Sequence, residues 1–323
     1  MSRTARAPGK VVLTGAYAVL HGAPALVAAV SRGAVANGAR SSPPSREVEA
    51  ALGPGMAPFV DVHELFEGDR KLGLGASAAA LVATLGVLAL ERGKDVSQVS
   101  VKKEIFEMAR AAHARAQGGG SGVDVAASVF GGTLAYTLAE GGPAIVPVDL
   151  PGVSVVVYAS GTFARTTELR GRVDAFGARS PGVHARLLAS LGEASERAYA
   201  ACRAVDRGAF LEAARAFAEV LGELGEASSA PIFGPHETAL RRLAADQGHA
   251  FFPSGAGGGD VSVLLAAEGV DSGAFDAEAA ARGLTRLAVS IDPHGVRAVS
   301  PSTDSRIDVS SDLPRPSTEW PSP

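Results

Sequence analysis

A lysine stands between a Pro-Gly turn and an apolar run in APGKVVLTGAYAVLHG, residues 7–22. Lysine is seldom buried without a partner. Lys10 is therefore either a cation held at the rim of a site, facing an anion such as phosphate, or a strand-end lysine whose ammonium reaches water. A second stretch, KLGLGASAAALVATLGVLAL from Lys71, sets two glycines and a serine before a long apolar run. It reads either as a turn that opens a core helix or as a phosphate cradle. In the second reading the backbone N–H groups of Gly73, Leu74, Gly75, Ala76 and Ser77 point into one concavity. The helix that follows adds the partial positive charge of its N-terminus. Glycine suits this because a Cβ would block the backbone's approach to phosphate. The Ser77 hydroxyl suits the hard oxygen preference of magnesium. The stretch is not the GxxxxGK[ST] loop, since no Lys-Ser/Thr pair follows the glycines.

A third stretch, FFPSGAGGGD at residues 251–260, holds four glycines in five positions. Either the backbone approaches a ligand closely there, or the loop is a flexible hairpin; glycine costs backbone entropy in both. A fourth, AQGGGSGVDVAASVFGG at residues 116–132, places Asp124 just inside a helix start. Asp124 is either a first-turn or capping aspartate or a carboxylate aimed into a cleft.

The elements that must position these groups follow from periodicity. Short buried strands are predicted at 9–14 and 25–30 around a turn at His21–Pro24. Residues 36–60 carry loop chemistry, with a hairpin at Arg46–Ala51. The apolar run after Gly75 predicts a central buried helix ending near Glu91-Arg92-Gly93. Ser97 is a candidate cap for a helix over 98–116. Val123–Phe130 opens another helix, and Gly131-Gly132 ends it. Strands are predicted at 133–138, 145–149 and 153–159. Residues 182–226 and 236–247 have helical spacing. Strands at 250–252 and 261–265 bracket the glycine loop, followed by a helix at 274–283 and a strand at 285–291. From Ser300 the chain is rich in Ser, Pro and Asp and is expected to be disordered.

The bulk numbers bound the class. The chain has 323 residues, 46% apolar and 20% charged, which is ordinary for a globular protein with a sizeable core. Thirty basic and 34 acidic residues leave a net charge of −4, so no basic face for nucleic acid is implied. One cysteine, Cys202, excludes an intrachain disulfide and fits a reducing compartment. No signal-peptide pattern follows the N-terminus, and Gly15, His21, Gly22 and Pro24 break the apolar run at 11–30, so no membrane span is read there. A cytoplasmic location is expected.

Taken in order, the four stretches resemble the GHMP kinase superfamily over nearly all of residues 7–292. Within it the phosphomevalonate kinase family is the most similar. KLGLGASAA, with its leading Lys71, is similar to that family's Lys-x-Gly-Leu-Gly-Ser-Ser-Ala loop. AHARAQGGGSGVDVAASVFGG is similar to its Ala-His-x-x-Ala-Gln-Gly stretch, and His113 falls where mevalonate kinases usually carry a magnesium-ligating glutamate. PSGAGGGD ends in Asp260, as in that family, and GTFARTTELRGRV sits where it has a Thr- and Ser-rich substrate segment. The chain departs from the pattern at Ala16, where a glutamate is usual, and at Ala76, where the first serine is usual. The lysine often found before the GAGGG loop is replaced by Phe251, Phe252 and Pro253.

The resemblance implies an α+β fold: an N-terminal ribosomal-protein-S5-like α/β domain over 1–160, a C-terminal ferredoxin-like α+β domain over 161–299, and a disordered tail over 300–323. It implies ATP between the halves, with its phosphates on Gly73–Ala78. Lys71 and Lys10 would offset charge, and Ser77 would ligate Mg²⁺. Acceptor contacts would come from His21, Ser121, Gly122, Arg165 and the loop Ser254, Gly255, Ala256, Gly257, Gly258 and Asp260. Arg115, Arg170 and His236 are further cation candidates. Asp124 would be a base for a hydroxyl acceptor. For a phosphomonoester, already anionic near pH 7, it would mainly orient Lys10. The implied activity is phosphorylation of 5-phosphomevalonate in the mevalonate pathway. Mevalonate kinase, or another small-molecule kinase of the superfamily, is the alternative. An impaired homologue that binds nucleotide or metabolite is a third reading, motivated by Ala16 and Ala76. The expected partners are small molecules, with no nucleic acid or membrane.

Overall fold

The computed structural model describes residues 3–161 and 166–300. Two antiparallel sheets carry the molecule, and the chain crosses between them twice.

The first sheet is built on two long strands, β1 (Thr4–Thr14) and β2 (Ala25–Ser42). They pair with Lys10 opposite Ala29, and the register shifts between Pro8 and Gly9, one residue before the lysine. A β-bulge of this kind re-aims the side chains that follow it. Farther along lie α1 (Arg46–Leu52), β3 (Ala57–Asp61), the short hairpin β4 (Phe66–Glu67) and β5 (Arg70–Lys71), and α2 (Ala76–Glu91). Next come α3 (Val99–Gln117), α4 (Val123–Phe130), β6 (Thr133–Ala139) and β7 (Gly142–Pro147). β12 (Arg297–Val299), β1, β2, β6 and β7 lie side by side in that order, and β3 also pairs with β2. α2 packs on β1 and β2 and is buried along nearly its whole length from Ala78 to Leu90. A helix that is apolar all round belongs in a core.

The second sheet orders β11 (Thr285–Leu287), β8 (Val153–Ala159), β10 (Val261–Ala267) and β9 (Ala250–Pro253). α5 (Thr166–Arg179), α6 (Pro181–Ala204), α7 (Arg207–Ser228) and α8 (Pro235–Asp246) connect β8 to β9, and α9 (Gly273–Ala281) connects β10 to β11. This is a βαββαβ path with several helices in its first crossover, the ferredoxin-like arrangement. One face packs α7 on β9 and β10; on the other, Tyr158, Phe251 and Phe275 form an aromatic cluster with ring centroids 5.3–6.1 Å apart.

Several expectations are corrected. Residues 46–51 form the helix α1, not a hairpin: the Ser45 hydroxyl accepts from the Val48 N–H at 3.4 Å, and Glu47 and Glu49 complement the helix N-terminus. The 36–60 stretch is not all loop, because β2 runs on to Ser42 and pairs there with β3 after a register shift between Asn37 and Ser41. Ser97 does not cap α3; its N–H and hydroxyl both go to Asp95 Oδ1, at 2.9 and 2.7 Å. The strand expected over 285–291, β11, stops at Leu287. The sheets do not divide at residue 160, since β8 belongs to the second sheet and β12 returns to the first. The tail expected from Ser300 lies, beyond that residue, outside the described residues.

No helix among the described residues is long and apolar enough to cross a membrane. Cys202 is buried on α6, and burial, with the charge of Asp149, pushes its thiol up to about 11. A thiol reagent at pH 8 is therefore expected to label the protein only after denaturant is added; fast labelling in buffer would contradict this burial.

Candidate active site

Three loops from different parts of the chain meet at Lys10. Its backbone N–H donates to the Leu74 carbonyl at 2.8 Å, and its ammonium donates to the Gly73 carbonyl at 3.3 Å. β1 thus clamps the start of the glycine loop. Gly75 takes φ +79, and a Cβ there would stand 3.0 Å from Lys10 Cγ. Burial lowers the Lys10 pKa, while the negative charges of Asp124 and Asp260 act to raise it. The residue is therefore a partly buried cation within the field of two carboxylates.

The glycine loop leads into α2 with Gly75 as its N-cap. No side chain caps this helix, and its first turn carries no acidic residue. The uncapped N–H groups and the helix dipole form a cradle with anion-binding character. Leu74 and Ala78 are buried beneath it, whereas Gly73, Ala76 and Ser77 are partly open. Lys71 is exposed at the end of the β4–β5 hairpin.

Asp124 stands in the first turn of α4. Its Oδ1 accepts from the Val125 N–H at 2.9 Å, and its Oδ2 lies 3.4 Å from Nε2 of the buried His113. Gln117 Nε2 lies 3.0 Å from the same His113 nitrogen and donates to Glu47 Oε1 at 3.4 Å. Burial pushes Glu47 up, but hydrogen bonds from its own backbone N–H and from Gln117 bring it below the usual value. A chain of polar side chains, Glu47, Gln117 and His113, therefore ends beside Asp124; His113 Nε2, while it accepts from Gln117, has no N–H to give Asp124. Beside it the Tyr136 hydroxyl donates to the Ser121 carbonyl, and burial pushes that phenol up to about 12. Gly122, at φ +80, is the N-cap of α4.

The loop 254–260 closes the site from the second sheet. Ser254 Oγ accepts from the Val12 N–H at 2.7 Å, and the Tyr17 hydroxyl donates to the Ala256 carbonyl at 2.7 Å. From behind, the Gly258 N–H donates to Ile232 O at 2.9 Å. Gly255, Gly257 and Gly258 all have positive φ, so the chain can fold back over this short span. Asp260 follows with φ +58, and its Oδ1 is buried without a hydrogen-bond partner among the described residues. Burial raises its pKa, against the pull of Lys10, Lys71 and Arg70.

Lys10, Gly73, Gly75, Asp124, Asp260 and the loop from Ser254 are thus brought to one place, with Ser121 and Gly122 beside Asp124. His21 is exposed after the turn that carries Tyr17, and its ring stands edge-on to His184 on α6, 6.4 Å between centroids. Arg165 lies outside the described residues. Arg115 donates to the Ala50 carbonyl, and His236 is exposed. Sequence reasoning missed Tyr17, Tyr136, Arg70 and the bond between Gln117 and His113. His113 and Gln117 stand one turn apart on α3, a spacing that could have paired them. The pairings of Tyr17 with Ala256 and of Tyr136 with Ser121 join distant residues and left no local signal.

Residues 47–132 match the family described as GHMP kinases N terminal domain. A phosphomevalonate kinase of Streptomyces sp. (strain CL190) is 31% identical over 223 residues, which cover 62% of this chain and 59% of that protein. The match thus spans less than two thirds of that relative. A mevalonate kinase of Aeropyrum pernix is 29% identical over 256 residues, covering 69% of this chain and 74% of that protein. A structure of Streptococcus pneumoniae phosphomevalonate kinase in complex with phosphomevalonate and AMPPNP superposes with a TM-score of 0.75 at 15% identity, over 89% of this chain and 99% of that one. Residues 47–132 thus match the GHMP kinase N-terminal domain, and the chain has the GHMP kinase fold.

Proposed function

We propose that this chain is an ATP-dependent small-molecule kinase of the mevalonate pathway and that its acceptor is 5-phosphomevalonate. The observation that carries the reading is Lys10, clamped on the glycine loop that leads into the uncapped N-terminus of α2 and within the field of Asp124. The glycine cradle fits a polyphosphate, because its backbone donors are uncapped and its glycines leave room for close approach. Ser77, on the first turn of α2, offers a hydroxyl oxygen of the kind Mg²⁺ takes. A bound Mg²⁺ would neutralise phosphate charge during transfer.

Phosphoryl transfer asks the protein for positioning and charge stabilisation more than for covalent chemistry. Lys10 supplies a preorganised cation, held by the Gly73 carbonyl on the loop that would bind the donor. Asp124 acts on that cation electrostatically, and its Oδ1 is held by the Val125 N–H. Lys10, Arg70 and Lys71 surround Asp260 with positive charge. That concentration of cations suits an acceptor that already carries a phosphate, and the relative named phosphomevalonate kinase supports the same choice. Mevalonate is the second reading, favoured by the longer match to the Aeropyrum protein.

Asp124→Asn separates the two. With 5-phosphomevalonate the acceptor oxygen is already anionic, so turnover is expected to fall only about tenfold, from lost orientation of Lys10. With a hydroxyl acceptor the same change removes a general base and is expected to cost about 10²–10⁴-fold. ADP release, measured for wild type and variant on each acceptor, decides between them.

A further inference from the structure

Asp260 is the group in this site whose chemistry is left incomplete. Its Oδ1 is buried and accepts no hydrogen bond among the described residues. Its backbone holds φ +58, a left-handed conformation that aspartate adopts more readily than most residues. Its side chain lies directly on the phosphate loop, where a Cβ on Gly73 would overlap Asp260 Cβ and stand 2.8 Å from its Cγ. Lys10, Lys71 and Arg70 act on it electrostatically, yet no ion pair joins them to it within bonding distance among the described residues.

A carboxylate at this position is a problem for the reading above, on which this inference rests. Beside a triphosphate it adds like-charge repulsion in a site partly shielded from water. The sign reverses if a divalent cation lies between them. Carboxylate oxygens and phosphate oxygens are the ligands Mg²⁺ prefers, and such sites usually combine one or two carboxylates with phosphates and water. Among the described residues no three His, Cys, Asp or Glu side chains gather to hold a metal alone, so a cation here needs oxygens from the nucleotide as well. We propose that Asp260 is a carboxylate ligand, with Ser77, for the divalent cation that enters with the nucleotide. The bonding capacity that Oδ1 leaves unused, on a carboxylate whose Cβ, Cγ and Oδ2 lie against Gly73, is then taken by the metal and is not a packing defect.

The role predicts opposite responses for metal-loaded and metal-free nucleotide. Calorimetric titration with AMPPNP would be run in excess Mn²⁺ and in EDTA, with bound Mn²⁺ counted by electron paramagnetic resonance. Asp260→Asn keeps the shape and tolerates the positive φ. It is expected to weaken Mn²⁺–AMPPNP about tenfold or more and to leave metal-free AMPPNP unchanged or tighter. Asp260→Gly, which suits the same φ, is expected to do likewise and covers a failure of the first variant to fold. Equal weakening of both nucleotide forms would make Asp260 a buttress of the loop and overturn the proposal alone. So would no change in either form. Wild-type protein that binds neither form would overturn the nucleotide reading and the proposal together.

Discussion

Lys10→Met is expected to lower turnover by about 10³-fold or more while leaving the fold intact. The side chain is the cation common to all three loops: it donates to Gly73, faces Asp124 and feels Asp260. Methionine preserves much of the stem and its packing but removes the charge that would meet the phosphate in transit. Because the site is partly shielded from water, that charge counts for more than it would on an open surface. Stability should not fall with activity. The folded state lowers the Lys10 pKa, so its charged form opposes folding below that value. Between the folded and the unfolded pKa the unfolded chain binds more protons, so wild-type stability rises with pH. Lys10→Met should therefore unfold at the same temperature as wild type or higher near pH 7, and the gap should close as pH approaches the ordinary lysine value. Turnover within about tenfold of wild type would remove Lys10 from the mechanism.

Gly73→Ala is expected to weaken nucleotide binding about 100-fold, read by titration with AMPPNP. The residue has φ +75, which costs a residue with a Cβ about 1–2 kcal/mol by itself. The added methyl would also overlap Asp260 Cβ, so the glycine loop or the 254–260 loop must move. The first movement separates the cradle from Lys10, and the second separates it from Asp260. Gly141→Ala is the control: φ is +90 there, but no atom lies within 4 Å of the added Cβ. It should cost about 1 kcal/mol of stability and leave nucleotide affinity unchanged. Equal nucleotide affinity in the two variants would contradict the packing of Asp260 on the cradle.

What the residues announced, and what they hid, has a physical pattern. α2 was legible because a long run of Ala, Leu and Val after a glycine turn can only be a buried helix. Lys10, Ser77, Asp124 and the SGAGGGD loop stood out because each sets polar or glycine chemistry against an apolar element. The order of these stretches carried the family resemblance, and with it the α+β fold. α1 was hidden because its seven residues lie among prolines, serines and glycines, and only the Ser45 cap betrays it. β12 is three residues long and pairs with β1 from the far end of the chain. Tyr17 takes φ +64, which nothing in its neighbours foretells, and its hydroxyl bond to Ala256 spans most of the sequence. The division at residue 160 failed because a strand's own pattern does not say which sheet it will join.

The central claim is that this site transfers phosphate from ATP to an acceptor that is already phosphorylated. The most direct test is ADP release from Mg-ATP by the wild-type protein, with 5-phosphomevalonate and mevalonate as separate acceptors. Rapid, acceptor-dependent release with 5-phosphomevalonate, and little with mevalonate, is the predicted result. Release with mevalonate alone would contradict the acceptor assignment, and nucleotide binding without turnover on either would contradict kinase activity on both of these acceptors.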